Sequence, residues 1–431
     1  MRNWAGNVTF AAATVHRPTT IAELQAVVAS AGSVRALGTG HSFNQIADTT
    51  GALVLLADLP RQIDVDSQAR TVTVAAGTRY GELAAELDRH GLALHNMGSL
   101  PHISVAGACA TGTHGSGDGN GNLATAVRGL ELVTAAGDVT ILSRGDGDAQ
   151  FPGAVVSLGC LGIITSLTLD VIPEYQVSQT VYEDLPFERL DDEFDAIMSG
   201  GYSVSLFTNW QRPVIDQVWR KSRVESPVPS PVPSPGRAHE PLASPSAWHG
   251  ATAAPGPRHP LPGLSELAGT VCTEQLGVPG PWNQRLPHFR LEFTPSHGEE
   301  LQSEYLLPRV HALAALRAVA GLGPLLAPVL QVSEVRTVAA DDLWLSPSFE
   351  RDCVAIHFTW VKDEAAVRSV LVAIEDRLTE FGARPHWGKL FGMGADELAP
   401  LYPRLDDFVR LIDGFDPNRK FRNPFVDRCL G

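Results

Sequence analysis

Apolar residues recur at helical spacing first at Ile21, Leu24, Val27 and Val28. Thr20 and Glu23 form a capping box at the helix start, in which the hydroxyl accepts from the Glu23 amide and the carboxylate reaches back. Gly32 suits the stop of this helix. Short apolar runs then predict strands over 33–37, 53–56, 63–65 and 72–75. A second helix is expected over 79–90, with Leu83 and Leu87 on one face and Gly91 closing it. Further strands are predicted over 127–134, 139–142 and 163–171. Residues 1–173 thus read as one α+β unit.

The pattern changes beyond it. Residues 202–210 read as a strand. Three apolar stretches then carry polar residues at i and i+2: Arg290 with Glu292, Glu334 with Arg336, and His357 with Thr359. In a strand such pairs share a face. They predict a sheet whose polar face lines a pocket, with Phe289, Phe293, Phe358 and Trp360 between them; an ordinary solvated face is the alternative. Helices over 304–319 and 364–381 would cover the other side. Interrupting this half, residues 226–263 hold eleven prolines. Proline removes ladder donors and favours extended chain, so this stretch reads as a mobile excursion and not as folded core. A ligand for a partner's aromatic groove is the other reading.

Two stretches fit neither period. Residues 36–44, ALGTGHSFN, place two glycines just before His41. Glycine permits positive φ and close approach, and successive inward N–H groups can receive an anion such as a pyrophosphate. A glycine turn with a surface histidine is the alternative. Residues 96–122 are dominated by Gly, Ala, Ser and Thr, which suits backbone lying against a flat or anionic ligand better than core packing. Ser104 is placed to cap a short helix over 105–110 whose free N–H groups would face a phosphate. Gly38 and Gly40 lack the third glycine of the dinucleotide fingerprint, which argues against a nicotinamide domain.

Composition narrows the partners. A formal charge of −15 repels nucleic acid and anionic membrane. No apolar run approaches the roughly 20 residues of a membrane span, and residues 1–7 show no signal segment, so a cytoplasmic protein is expected. Cys109, Cys160, Cys272, Cys353 and Cys429 are odd in number and far apart, which argues against a disulfide framework or structural zinc. No metal-binding motif occurs.

Taken together, GTGHSFN at 38–44, SLPHISVAG and ATGTHGSG at 99–117, CTEQLGVPGPWNQRLPHF at 272–289, EVRTVAADDLWLSP at 334–347, HFTW at 357–360 and PHWGK at 385–389 resemble the vanillyl-alcohol-oxidase-type flavoprotein family, in its alditol-oxidising branch. The resemblance covers nearly the whole chain. It implies a two-domain α+β fold: an FAD domain over 1–173, a substrate domain over 174–400 on an antiparallel sheet flanked by helices, and a segment over 401–431 completing the FAD domain. It implies FAD bonded covalently through His41. By similarity, FAD contacts fall on Ala36, Leu37, Gly38, Thr39, Gly40, His41, Ser42, Ser99, Ser104, Gly107, Ala108, Cys109, Ala110, Ile163 and His386. Substrate contacts fall on Ser99, Glu334, Arg336, Thr359 and Lys389. The implied reaction oxidises the terminal CH₂OH of a polyol by hydride transfer to flavin N5, with O₂ reduced to H₂O₂. Lys389 or a neutral His386 would take the hydroxyl proton, with Glu334 and Arg336 completing the catalytic set. A covalently held flavin gives no reason for a dimer, so a monomer is expected. The alternatives are an aldonolactone oxidase or dehydrogenase, and a sugar-binding protein without flavin, which would have no use for His41.

Overall fold

The computed structural model describes residues 1–147, 149–224, 245–261, 263–293 and 298–431. Helix Ile21–Ser30 starts where expected. Thr20 Oγ1 accepts from the Glu23 amide, and the Glu23 carboxylate accepts from the Thr19 amide. Strands Thr14–His16, Ala52–Leu55 and Val34–Leu37 form a small parallel sheet in that order. Beside it, Ile63–Asp66, Thr71–Ala75, Ile163–Asp170, Val127–Val133 and Val139–Ser143 form an antiparallel sheet in that order. Helices Tyr80–Arg89 and Val105–Ala110 connect its strands.

The later strands build a large sheet, antiparallel throughout. Its centre runs Gln176–Pro186, Val214–Val224, Ser203–Thr208, Leu330–Val338, Cys353–Val361 and Glu300–Pro308. Helices Arg189–Met198, Ala312–Ala320 and Glu364–Leu378 bury Phe194, Ile197, Leu316, Val319, Leu371 and Ile374 in one core. Register fixes the polar face. Phe207, Glu334, His357 and Glu304 stand side by side across four strands. Gln302 and Thr359 form the adjacent pair.

Three expectations need correction. Residues 304–319 are not one helix: Glu304 lies on strand Glu300–Pro308, and the helix starts only at Ala312. Pro308 ends the strand, and the apolar run through it suits either period. Arg290 and Glu292 are not on a strand. Residues 288–293 form a loop with one bridge, Cys272 to Phe289. The proline-rich reading also fails over 245–261. Strands Ala247–Trp248 and Ala251–Ala253 pair, and the second joins Gln176–Pro186. Trp248 stacks on Tyr182 at 5.5 Å, and Arg258 grips the Glu183 carboxylate through two bonds of 2.7 and 2.9 Å. An aromatic anchor and a bidentate ion pair outweigh proline content here. Residues 226–244 and Pro262 lie outside the described residues.

The C-terminal residues close on the first sheet. The Val34 amide donates to Lys420 O (2.9 Å), Arg35 Nη1 to Phe421 O (2.6 Å), and Asn423 Nδ2 to Gln45 O and Asp48 O. All five cysteines are buried and free. Among the described residues, no helix is long and apolar enough to cross a membrane.

Candidate active site

Both small-residue stretches meet on one cavity of about 300 Å³. Gly40 adopts φ +69°, which turns the chain so that His41 follows at the cavity wall. At Gly38 a Cβ would stand 2.4 Å from Ser104 Oγ and 3.3 Å from its Cβ, so glycine lets the two loops approach without displacing that side chain. Thr39 Oγ1 accepts from the Ser104 amide at 3.1 Å, which joins them. His41 stacks on Trp4 at 5.1 Å, and its Nδ1 is buried without a partner. Burial, with the charges of His102 and Arg79, pulls the His41 pKa down to about 4, so the imidazole is neutral.

The same cavity reaches the polar face of the large sheet. Glu304 is fully buried and central. Its Oε2 accepts from Lys389 Nζ (2.5 Å) and its Oε1 from Arg336 Nη2 (2.6 Å). His114 Nε2 lies 3.2 Å from Oε1, at ion-pair distance but out of hydrogen-bond alignment. Burial alone would raise the Glu304 pKa; Lys389, Arg336 and His114 overcome it and hold the carboxyl well below its ordinary range. Lys389 Nζ also donates to His357 Nδ1 (2.8 Å), and His357 Nε2 meets Thr359 Oγ1 (3.1 Å). Burial pushes the Lys389 pKa down, with Glu304 opposing. Burial and then Lys389 bring His357 to about 4. Glu334 Oε1 accepts from His288 Nε2 (2.9 Å) and stands 3.6 Å from Arg336 Nε. Burial would raise the Glu334 pKa too, but Arg336 and His288 lower it overall.

The GHSFN loop also sets the lysine. Asn44 Nδ2 donates to Trp387 O (2.8 Å) and Lys389 O (2.7 Å), and the Phe43 amide donates to Gly388 O. His386 Nδ1 accepts from the Gly388 amide (3.0 Å), so its proton sits on Nε2, which is buried and unpartnered. Burial, then Lys389, lowers its pKa well below the ordinary value, so it is a neutral donor with no free lone pair.

Of the residues expected at the site, Ala36 to Ser42, Ser99, Ser104, Gly107, Ala108, Ala110, Glu334, Arg336, Thr359, His386 and Lys389 all line this cavity. Cys109 and Ile163 do not. The Cys109 thiol is fully buried, 3.5 Å from Tyr80 Oη, with its pKa pushed up to about 12 by burial. Ile163 faces the core because its strand alternates, leaving Gly162 and Ile164 on the cavity side. Glu304, His114, His288 and Lys221 were missed. Gln302 and Glu304 carry the same i, i+2 signal as the other strands.

Comparison with known proteins agrees with this geometry. Residues 12–143 match the FAD binding domain family, and residues 299–429 match the D-arabinono-1,4-lactone oxidase family. Alditol oxidase of Streptomyces sp. (strain IKD472) is 53% identical, over 99% of this chain and 98% of its own. L-gulono-1,4-lactone dehydrogenase of Mycobacterium tuberculosis is 32% identical over 100% and 98%. The crystal structure of cholesterol oxidase from B. sterolicum superposes with a TM-score of 0.76 over 100% of this chain and 96% of that one, at 16% identity, a likeness of fold. Fold, cradle and buried charge cluster together define an FAD-dependent oxidoreductase. The chain belongs to the vanillyl-alcohol-oxidase-type family of FAD-linked oxidases, in the group of alditol oxidase.

Proposed function

We propose that the protein oxidises the terminal primary hydroxyl of an alditol such as xylitol or sorbitol to the aldose, with O₂ as acceptor and H₂O₂ as product. The observation that carries this reading is the single cavity that runs from the orphaned His41 Nδ1 to the Glu304, Glu334, Arg336 and Lys389 cluster. The strong likeness to alditol oxidase supports it. In this reading residues 1–173 and 401–431 hold FAD, and 174–400 present the substrate.

FAD, held by residues 36–42, Ser104 and Gly107, would supply the redox chemistry, a two-electron acceptor for the carbinol that O₂ reoxidises. The residues supply positioning and proton handling. An uncharged polyol is recognised by matched hydrogen bonds, and unpaired buried groups penalise wrong substrates. Arg336 Nε is an unpartnered donor, and Glu334 Oε2 takes no hydrogen bond among the described residues. Thr359 adds a hydroxyl. Lys389 in its neutral form takes the hydroxyl proton: burial lowers its pKa, and Glu304 and His357 hold the amine in place. His386 is assigned a donor's part, since its Nδ1 is occupied by the Gly388 amide. Ala106, Gly107 and Ala108 leave room at the cavity wall for O₂.

His41, neutral and with Nδ1 free, is the residue assigned the covalent bond to the flavin. Wild-type protein precipitated in acid is expected to give a yellow pellet, and His41→Ala a colourless one; a colourless wild-type pellet overturns the bond. Peroxide release is expected to be faster with xylitol or sorbitol than with a sugar lactone. Equal or faster turnover of the lactone would replace the proposed substrate class.

A further inference from the structure

We propose that Lys221 and His288 are a positioning pair that fixes which oxygen of Glu334 faces the substrate. The proposal rests on the polyol reading above and extends it to two residues outside the expected site. Lys221 sits on strand Val214–Val224, opposite Ser203, and is 1% exposed. Its nitrogen meets Leu286 O, Pro287 O (3.2 Å) and His288 Nδ1 (3.1 Å). Leu286 O and Pro287 O can only accept, so two of its N–H bonds are spent on them, and burial brings the Lys221 pKa down to about 7. The Glu334 carboxylate facing Nε2 at 2.9 Å can only accept, so Nε2 carries the ring proton and Nδ1 accepts from Lys221. Burial first, with Lys221 adding to it, brings the His288 pKa to about 4, so the ring is neutral and its one proton lies on Nε2. That proton is donated to Glu334 Oε1 at 2.9 Å.

The ring cannot turn to undo this. Phe207, Trp219 and Phe289 enclose it with centroids at 5.6, 5.1 and 6.4 Å. Its backbone is held as well: the His288 amide donates to Ser99 O (3.1 Å), and the Thr273 amide donates to His288 O (2.9 Å). The pair thus occupies Oε1 and leaves Oε2 as the acceptor for a substrate hydroxyl. Outer residues that lock a histidine tautomer govern the inner ligand in the same manner at metal sites. Lys221 and His288 act through Glu334 and belong to substrate binding, not to proton transfer.

Two readouts test this on the FAD-loaded protein. Two-bond ¹H–¹⁵N spectra of [¹⁵N]histidine-labelled protein at neutral pH are expected to show His288, assigned by loss of its signal in His288→Gln, as the Nε2–H tautomer. Lys221→Met should move the Nδ1 resonance downfield, because that nitrogen loses its donor. Loss of one hydrogen bond to a buried carboxylate corresponds to a rise in alditol KM of about tenfold in Lys221→Met and His288→Leu, with kcat within about twofold. His288→Gln, which keeps a donor for Glu334, should return KM to within about threefold of wild type. An Nδ1–H tautomer in the wild type, or an unmoved Nδ1 resonance in Lys221→Met, overturns the proposal. So does an unchanged KM, or equal losses in kcat with glutamine no better than leucine. If the wild type oxidises no alditol, the substrate reading fails, and the tautomer result still decides the role of the pair.

Discussion

Lys389→Met is expected to lower kcat with an alditol by about 10²–10⁴-fold, the range of a lost general base, while FAD remains bound. Methionine keeps the length and the burial of the side chain but has no lone pair to receive a proton. The wild-type rate should climb with pH as the ammonium deprotonates. It should level off below the ordinary lysine value of 10.5, because burial lowers the Lys389 pKa. The variant should lose that climb. Stopped-flow reduction of the bound flavin across pH reads both effects. Full turnover in the variant, or an unchanged pH limb, would remove Lys389 from proton transfer.

The second large effect concerns Glu304, which forms buried ion pairs with both Lys389 and Arg336. Removing one partner of a buried ion pair costs about 3–5 kcal/mol, because the other charges stay buried without compensation. Glu304→Gln should therefore melt at lower temperature, and it should turn over poorly because Lys389 and Arg336 lose their shared anchor. The acid limb gives a second signature. The folded-state pKa of Glu304 is depressed below its ordinary 4.5. Its stabilising contribution is thus complete above 4.5 and is lost as pH falls below that value toward the folded pKa. Thermal melts between pH 7 and 3 should show a shallower acid decline in Glu304→Gln than in wild type. Matching melts and matching turnover would mean the cluster does not depend on this carboxylate.

Glu304 also shows where the sequence becomes ambiguous. Local chemistry was legible: the Thr20 cap, the glycine cradle around His41, and the paired polar positions at 334/336 and 357/359 all occupy their expected elements. Glu304 carries the same pairing with Gln302, yet the apolar run after it suits strand and helix alike, and Pro308 alone marks the change. Arg290 and Glu292 mimic the pattern within a loop, because i, i+2 spacing has meaning only once a strand exists. His288, two residues before Arg290, is the residue that matters there. Its partner Lys221 is 67 positions away, so nothing local announces it. Cys109 lies between two of the quoted motifs and Ile163 opens a predicted strand, and only the direction of each side chain, set by a helical turn and a strand's alternation, separates them from the cavity.

The bond from Arg35 to the Phe421 carbonyl spans 386 positions. Arg35 lies at the lip of the FAD cradle and Phe421 near the far end of the chain, so the ribosome makes one wall of the cradle long before its fastener. Val34, Arg35 and the 45–48 turn all take hydrogen-bond partners from residues 420–423. Anchoring of this wall of the cradle therefore depends on residues 420–423.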